Sequence, residues 1–212
     1  MYAIILSMII KKLFILISIL LVSNLSVLAD YSDFYEGTIE YNWDKITQTE
    51  RDQSISKVMA VIFSNDFVPK YPKKEFKNKY KEHLKDKYNI EHYYAATAGK
   101  TEFGNANIAA FYTSLFNSIY MYGIQYKNDL TKNYYYDALG HLRYIDIVYD
   151  NYPNYPYYSK QYKINGKFVS AIYFVSKDCQ YVFDKKGVFK GLWLKNNFYD
   201  KNGKITMTRS NY

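Results

Sequence analysis

The 212-residue chain predicts an α+β fold, with about three helices followed by an antiparallel β-meander. Three observations lead there. After residue 46 apolar side chains recur at helical spacing. From residue 131 the spacing changes to period 2, the mark of strands. Between the period-2 segments stand turns of one pattern, aromatic-Asp-x-x-Gly-x-apolar, at 136–142, 183–189 and 199–205.

Residues 1–29 read as an export signal. Lys11 and Lys12 precede an apolar run over 13–22, and Val27-Leu28-Ala29 stand before Asp30. A positive n-region, an apolar core of about ten residues and small side chains at a cleavage point define a secretory leader. Met8 offers an alternative start with a shorter n-region. The rival to cleavage is an uncleaved anchor. The stretch 13–28 is shorter than the roughly 20 apolar residues of a spanning helix. It also contains Ser18, Ser23, Asn24 and Ser26, which favours cleavage. The expected location is secreted or cell envelope, at the periplasm or cell surface.

Beyond the leader, 30–128 reads as a mainly helical region and 129–212 as a β-hairpin region packed with it as one domain. Residues 31–44 suggest a short strand or extended arm. Thr47 and Glu50 have the spacing of a capping box. Ile55, Val58, Met59 and Ile62 then share a helix face that ends near Asn65. Pro72 suits the first turn of a second helix, with Phe76, Tyr80, Leu84 and Tyr88 as a narrow seam among lysines. A third helix is expected over 105–122, on Ile108, Phe111, Tyr112, Leu115, Ile119 and Tyr122. Gly123 would follow as its C′ residue. The last part, 118–126, also alternates like a strand.

The meander is expected to hold four to seven strands. Asp opens each tight turn by accepting backbone hydrogen bonds, and Gly tolerates the positive φ near its end. These are the signals of β-hairpins. Asn165-Gly166 marks a further turn. The loop Tyr152-Pro153-Asn154-Tyr155-Pro156-Tyr157-Tyr158 interrupts the series, and its aromatic-Pro bonds suit cis peptides.

Composition narrows the function. The chain is 49% hydrophobic and 23% charged, which describes a folded protein and not a disordered one. Its net charge is +8, carried by 25 lysines against three arginines. Nucleic-acid recognition favours the forked guanidinium, so nucleic acid is not an expected partner. The alternatives for this charge are an internal match between acidic and basic segments, or an anionic polymer. Lys, Tyr, Asn, Ile and Phe share A/T-rich codons, so 27 tyrosines do not by themselves specify a binding face.

Chemistry is sparse. Cys179 is the single cysteine, which excludes an intramolecular disulfide and suggests a thiol packed in a strand. His83 and His92 fit no standard zinc spacing. Cys179 with His141, or Glu91 with Glu102, are the pairs available to a hydrolase. No phosphate-loop, dinucleotide or metalloprotease motif occurs. The expectation is a chain without cofactor, metal site or catalytic residues. Its binding candidates are Tyr152, Tyr155, Tyr157, Tyr158 and Trp193.

The aromatic-Asp-x-x-Gly-x-apolar hairpins resemble those of YD-type and MORN-type repeat proteins. Residues 181–193 are also similar to one aromatic cell-wall-binding repeat of Gram-positive surface proteins, with Gly191-Leu192-Trp193 in place of an adjacent Gly-Trp. The resemblance covers about 80 residues. With the leader and the lack of catalytic motifs, the expectation is an exported, non-enzymatic binding or structural protein of the envelope or extracellular space. Tyrosines and lysines would contact cell-wall polysaccharide or another secreted protein, and the membrane would be met only through an uncleaved leader. The alternative is a small hydrolase acting on envelope polymers.

Overall fold

The computed structural model describes residues 38–64, 73–84, 87–112 and 118–208, with side chains for all of these except 84, 87–89 and 150. The expected leader, its cleavage site and Pro72 lie outside the described residues. Three α-helices come first: α1 Gln48–Ile62, α2 Lys73–Lys79 and α3 Lys87–Thr97, with a 3-10 turn at Lys81–Leu84. Eleven strands follow: β1 Glu102–Phe103, β2 Ala106–Tyr112, β3 Ile119–Tyr126, β4 Lys132–Asp137, β5 Leu142–Asp150, β6 Tyr157–Lys163, β7 Phe168–Phe174, β8 Cys179–Asp184, β9 Phe189–Leu194, β10 Asn197–Tyr199 and β11 Ile205–Thr208. They follow one another across one sheet in chain order, so the fold is α+β with an antiparallel meander.

The expected third helix is instead the hairpin β2–β3. Residues 106–112 pair antiparallel with 119–126, with Ile108 opposite Ile124 and Phe111 opposite Met121. Ile108 and Phe111 are both core residues, yet on a strand they face opposite ways. A helix would have placed both on one side. Gly123 is no helix stop; it sits inside β3 opposite Ala109. The sheet therefore begins at Glu102, well before residue 131; it has eleven strands, and the part after 131 holds eight rather than four to seven. The segment expected as a strand or arm is, from Thr38 on, a run of tight turns closed by bonds such as Trp43 N to Glu40 O at 3.2 Å.

The chain divides into two compact units. The first comprises the described parts of Lys70–Tyr149 and Lys160–Val169. Here α2 and α3 lie on one face of the strands. Phe76, Tyr80, Ala95 and Ala96 pack with Ile108, Tyr122, Ile124, Tyr134, Tyr136 and Ile145. The register explains the row: Ile108 opposes Ile124, Ile124 opposes Tyr134, and Tyr134 opposes Ile145. Tyr122 and Tyr136 stack across the strands at 5.4 Å. The other face holds a smaller cluster of Phe111, Met121 and Tyr135. Burial on both faces is why three successive tyrosines, Tyr134 to Tyr136, are all enclosed.

The second unit comprises the described parts of Val22–Pro69, Asp150–Ser159 and Ser170–Tyr212. Thr47 caps α1, and both halves of the capping box with Glu50 are present. The buried stripe of α1 is Arg51, Ser54, Val58 and Ile62. Met59, expected on that face, is exposed instead. The stripe turns toward polar residues because they find partners there. Arg51 Nη1 donates to Trp43 O at 2.8 Å and Ile46 O at 2.7 Å, and Ser54 lies 2.6 Å from the Tyr181 hydroxyl. Tyr181 also donates to Glu40 at 2.8 Å, and Trp43 Nε1 donates to Asp200 O at 3.0 Å. The ring of Trp43 meets Tyr181 edge-on at 5.7 Å.

Three hairpins turn in the same way. Asp137 Oδ1 accepts from the amides of Leu139 and His141, Asp184 Oδ1 from Lys186 and Val188, and Asp200 Oδ1 from Asn202 and Lys204. The glycines Gly140, Gly187 and Gly203 have φ of 79°, 75° and 81°, the left-handed region that closes a type I turn with a bulge. Just inside each turn an aromatic faces an apolar residue: Tyr136 and Leu142, Phe183 and Phe189, Tyr199 and Ile205.

Candidate functional site

The segment 151–158 comprises the loop 151–156 that joins β5 to β6 and the first two residues of β6, and contains two cis bonds, Tyr152-Pro153 and Tyr155-Pro156. Its sequence repeats: Asn151-Tyr152-Pro153, then Asn154-Tyr155-Pro156. Exposure repeats with it. Both asparagines and both prolines are exposed, and both tyrosines are half-buried. The two tyrosines converge on Tyr157, which is fully buried. Tyr152 meets it edge-on at 5.0 Å, and Tyr155 stacks on it at 5.1 Å. Tyr157 stacks in turn on Phe174 at 4.7 Å. The result is an aromatic column with a buried base and a half-exposed top, and the exposed Asn151 and Asn154 precede its two upper tyrosines in the chain.

The other binding candidates are elsewhere in their packing. Tyr158 is enclosed at 1% exposure, and Trp193 at 0% packs on Phe198 at 4.9 Å. Neither offers a ring face to solvent. Phe198 sits where a side chain on Gly191 would be, 2.3 Å from that Cβ position, so the small residue admits the ring.

The residues that could carry chemistry are placed as follows. Cys179 is fully buried, and burial, with the charges of Glu40 and Asp178, pushes its thiol well above the usual range. A thiol held neutral is a poor nucleophile. His141 is exposed and lies 3.4 Å from Asp137. Glu91 is on α3, and Glu102 is on β1, paired to Lys127 at 2.6 Å. His83 stacks on Tyr134 at 4.3 Å, and buried His92 meets Phe103 edge-on at 5.3 Å. Among the described residues no group of three or more His, Cys, Asp or Glu is arranged to hold a metal ion, and no helix is long and apolar enough to cross a membrane. A shallow cavity of about 310 Å³ on the second unit is lined by Ser56, Met59, Ala60, Phe63, Lys186 and Gly187.

Sequence reading missed one polar group. Asp146, Asn133 and Gln161 lie on adjacent strands of the first unit and are all buried. The available signal was an acid inside the apolar run Ile145-Asp146-Ile147-Val148, where a strand buried on both faces should carry none.

No protein-family model, curated protein or solved structure matches the chain.

Proposed function

We propose that this is an exported protein of the cell envelope or extracellular space that acts by binding and not by catalysis. Its aromatic-Asp-x-x-Gly hairpins are the repeating scaffold, as in the repeat families they resemble. The segment 151–158 is the contact surface for a polysaccharide such as the glycan of a cell wall. The observation that carries this reading is the column of Tyr155, Tyr157 and Phe174, with Tyr152 edge-on to Tyr157. A ring supported from below loses little freedom when a sugar packs on it, and neighbouring amides suit hydroxyl groups. The tandem Asn-Tyr-Pro units would present equivalent groups to a repeating polymer. The buried thiol of Cys179 counts against the hydrolase alternative.

Co-sedimentation with purified cell wall tests this. The wild-type chain should pellet without releasing soluble fragments. Tyr152→Ala with Tyr155→Ala should weaken binding about fivefold or more, since each ring contributes roughly 0.5–1.5 kcal/mol. Equal pelleting of both proteins, or release of fragments, would remove the proposal. The mass of the mature protein from its native host tests the leader: loss of residues 1–29 is expected.

A further inference from the structure

The second face of the first unit has more buried acceptors than donors. Asn133 on β4 stands directly opposite Asp146 on β5. They are 2% and 0% exposed. Asp146 Oδ2 accepts from the Tyr135 hydroxyl at 2.9 Å, and Gln161 on β6 also hydrogen-bonds the carboxyl. The remaining oxygens, Asp146 Oδ1 and Asn133 Oδ1, are both enclosed and neither has a donor. Among the described residues no cation pairs with Asp146. Lys160, the buried base on β6, directs its ammonium toward the Tyr149 ring at 5.8 Å.

An ionised carboxylate at this place would leave two facing acceptors unmet and a buried charge uncompensated, both of which are costly. One proton answers both. We propose that Asp146 is held as a neutral carboxylic acid whose Oδ1 proton is donated to Asn133 Oδ1, so that a single proton fastens β4 to β5 in the first unit. Burial is the largest influence and pushes Asp146 up to about 7, against the hydrogen bonds from Tyr135 and Gln161. The other titratable groups packed on this side include Tyr120 on β3, Tyr135 on β4 and Tyr144 on β5. Burial raises all three, so they stay protonated through neutral pH. Asn133 and Gln161 are neutral.

The sign follows from linkage. An unfolded aspartate ionises near pH 4. Between about 4 and about 7 the folded chain holds a proton that the unfolded chain has lost. Stability is therefore greatest below that window, falls as pH rises through it, and levels off above it. The unit is tightened in acid and loosened at neutral pH.

Urea unfolding of the full chain at pH 5, 6, 7 and 8, compared with Asp146→Asn, tests the proposal. The asparagine amide can donate to Asn133 and still accept from Tyr135, so it copies the neutral acid. The wild-type unfolding constant should rise relative to the variant by about 50-fold between pH 5 and 7, then less than about twofold more by pH 8. Parallel profiles for the two proteins would overturn the proposal. The Asp146 Cγ chemical shift in ¹³C-labelled wild type gives a readout that needs no variant. Titration near 7 supports the assignment, and titration near 4 overturns it. Asn133→Leu removes the acceptor and should move that midpoint to lower pH; an unmoved midpoint also overturns it.

Discussion

The two units bury polar groups in opposite ways. In the second unit the buried hydroxyl of Tyr181 bridges Glu40 and Ser54, and the guanidinium of Arg51 reaches the backbone carbonyls of Trp43 and Ile46. The Tyr181 hydroxyl there meets partners far away in sequence, and Arg51 Nη1 meets two carbonyls five and eight residues before it. In the first unit Asn133 and Asp146 bring two acceptors to one place. The lesson is that burying polar side chains serves different ends according to the balance of donors and acceptors. A matched set joins segments at any pH that keeps its charges, whereas an acceptor surplus makes the join depend on a proton.

Breaking the matched set should cost most. Gly203 has φ of 81°, and a Cβ on it would lie 2.8 Å from both Trp43 O and Arg51 Nη1. Gly203→Ala therefore strains the turn and pushes on the Arg51 join together. A loss of about 3 kcal/mol in urea unfolding is expected. Tyr181→Phe is next. It keeps the ring against Trp43 but strips Glu40 and Ser54 of a shared partner, for a loss of about 2 kcal/mol. If it costs no more than an exposed tyrosine-to-phenylalanine change such as at Tyr94, the network is not what joins α1 to its strands.

The smallest effect sharpens the contrast by having the opposite pH sign. Asp184 is partly enclosed, which opposes ionisation, but Lys190 at 2.9 Å and the amides of Lys186 and Val188 hold its carboxyl below the usual range. A lowered folded value gives stability that is present above the unfolded value and lost as pH falls through the folded one. Asp184→Asn should cost about 0.5–1 kcal/mol at pH 7 and progressively less as pH falls through the acid range, where the wild type loses its charge. Acid thus weakens the turn at Asp184 while it strengthens the row at Asp146.

Much of the local chemistry was legible in the chain. Thr47 with Glu50 marks the start of α1 because a cap depends on residues three apart. The Asp and Gly of each turn reveal themselves because the turn is closed by its own backbone. The segment 105–122 misled, because Ile108, Phe111, Ile119 and Tyr122 keep a helical spacing, and strands buried on both faces need not alternate. Gly104-Asn105 was the overlooked clue: Phe103 and Ala106 pair across those two residues, a two-residue hairpin with Gly104 at φ 55°. The aromatic column was partly legible. Tyrosines and prolines announced the loop, but only packing distinguishes half-exposed Tyr155 from enclosed Tyr157 and Tyr158.

The sequence by itself determined the helical start, the antiparallel meander and where three of its hairpins turn, since each depends on contacts within a few residues. Tertiary structure decided that β2 and β3 are strands along their length, which tyrosines are core, and that Asp146 stands opposite Asn133. Those outcomes depend on which distant strand lies alongside and on whether one face or both are covered. Periodicity within a segment carries no record of either.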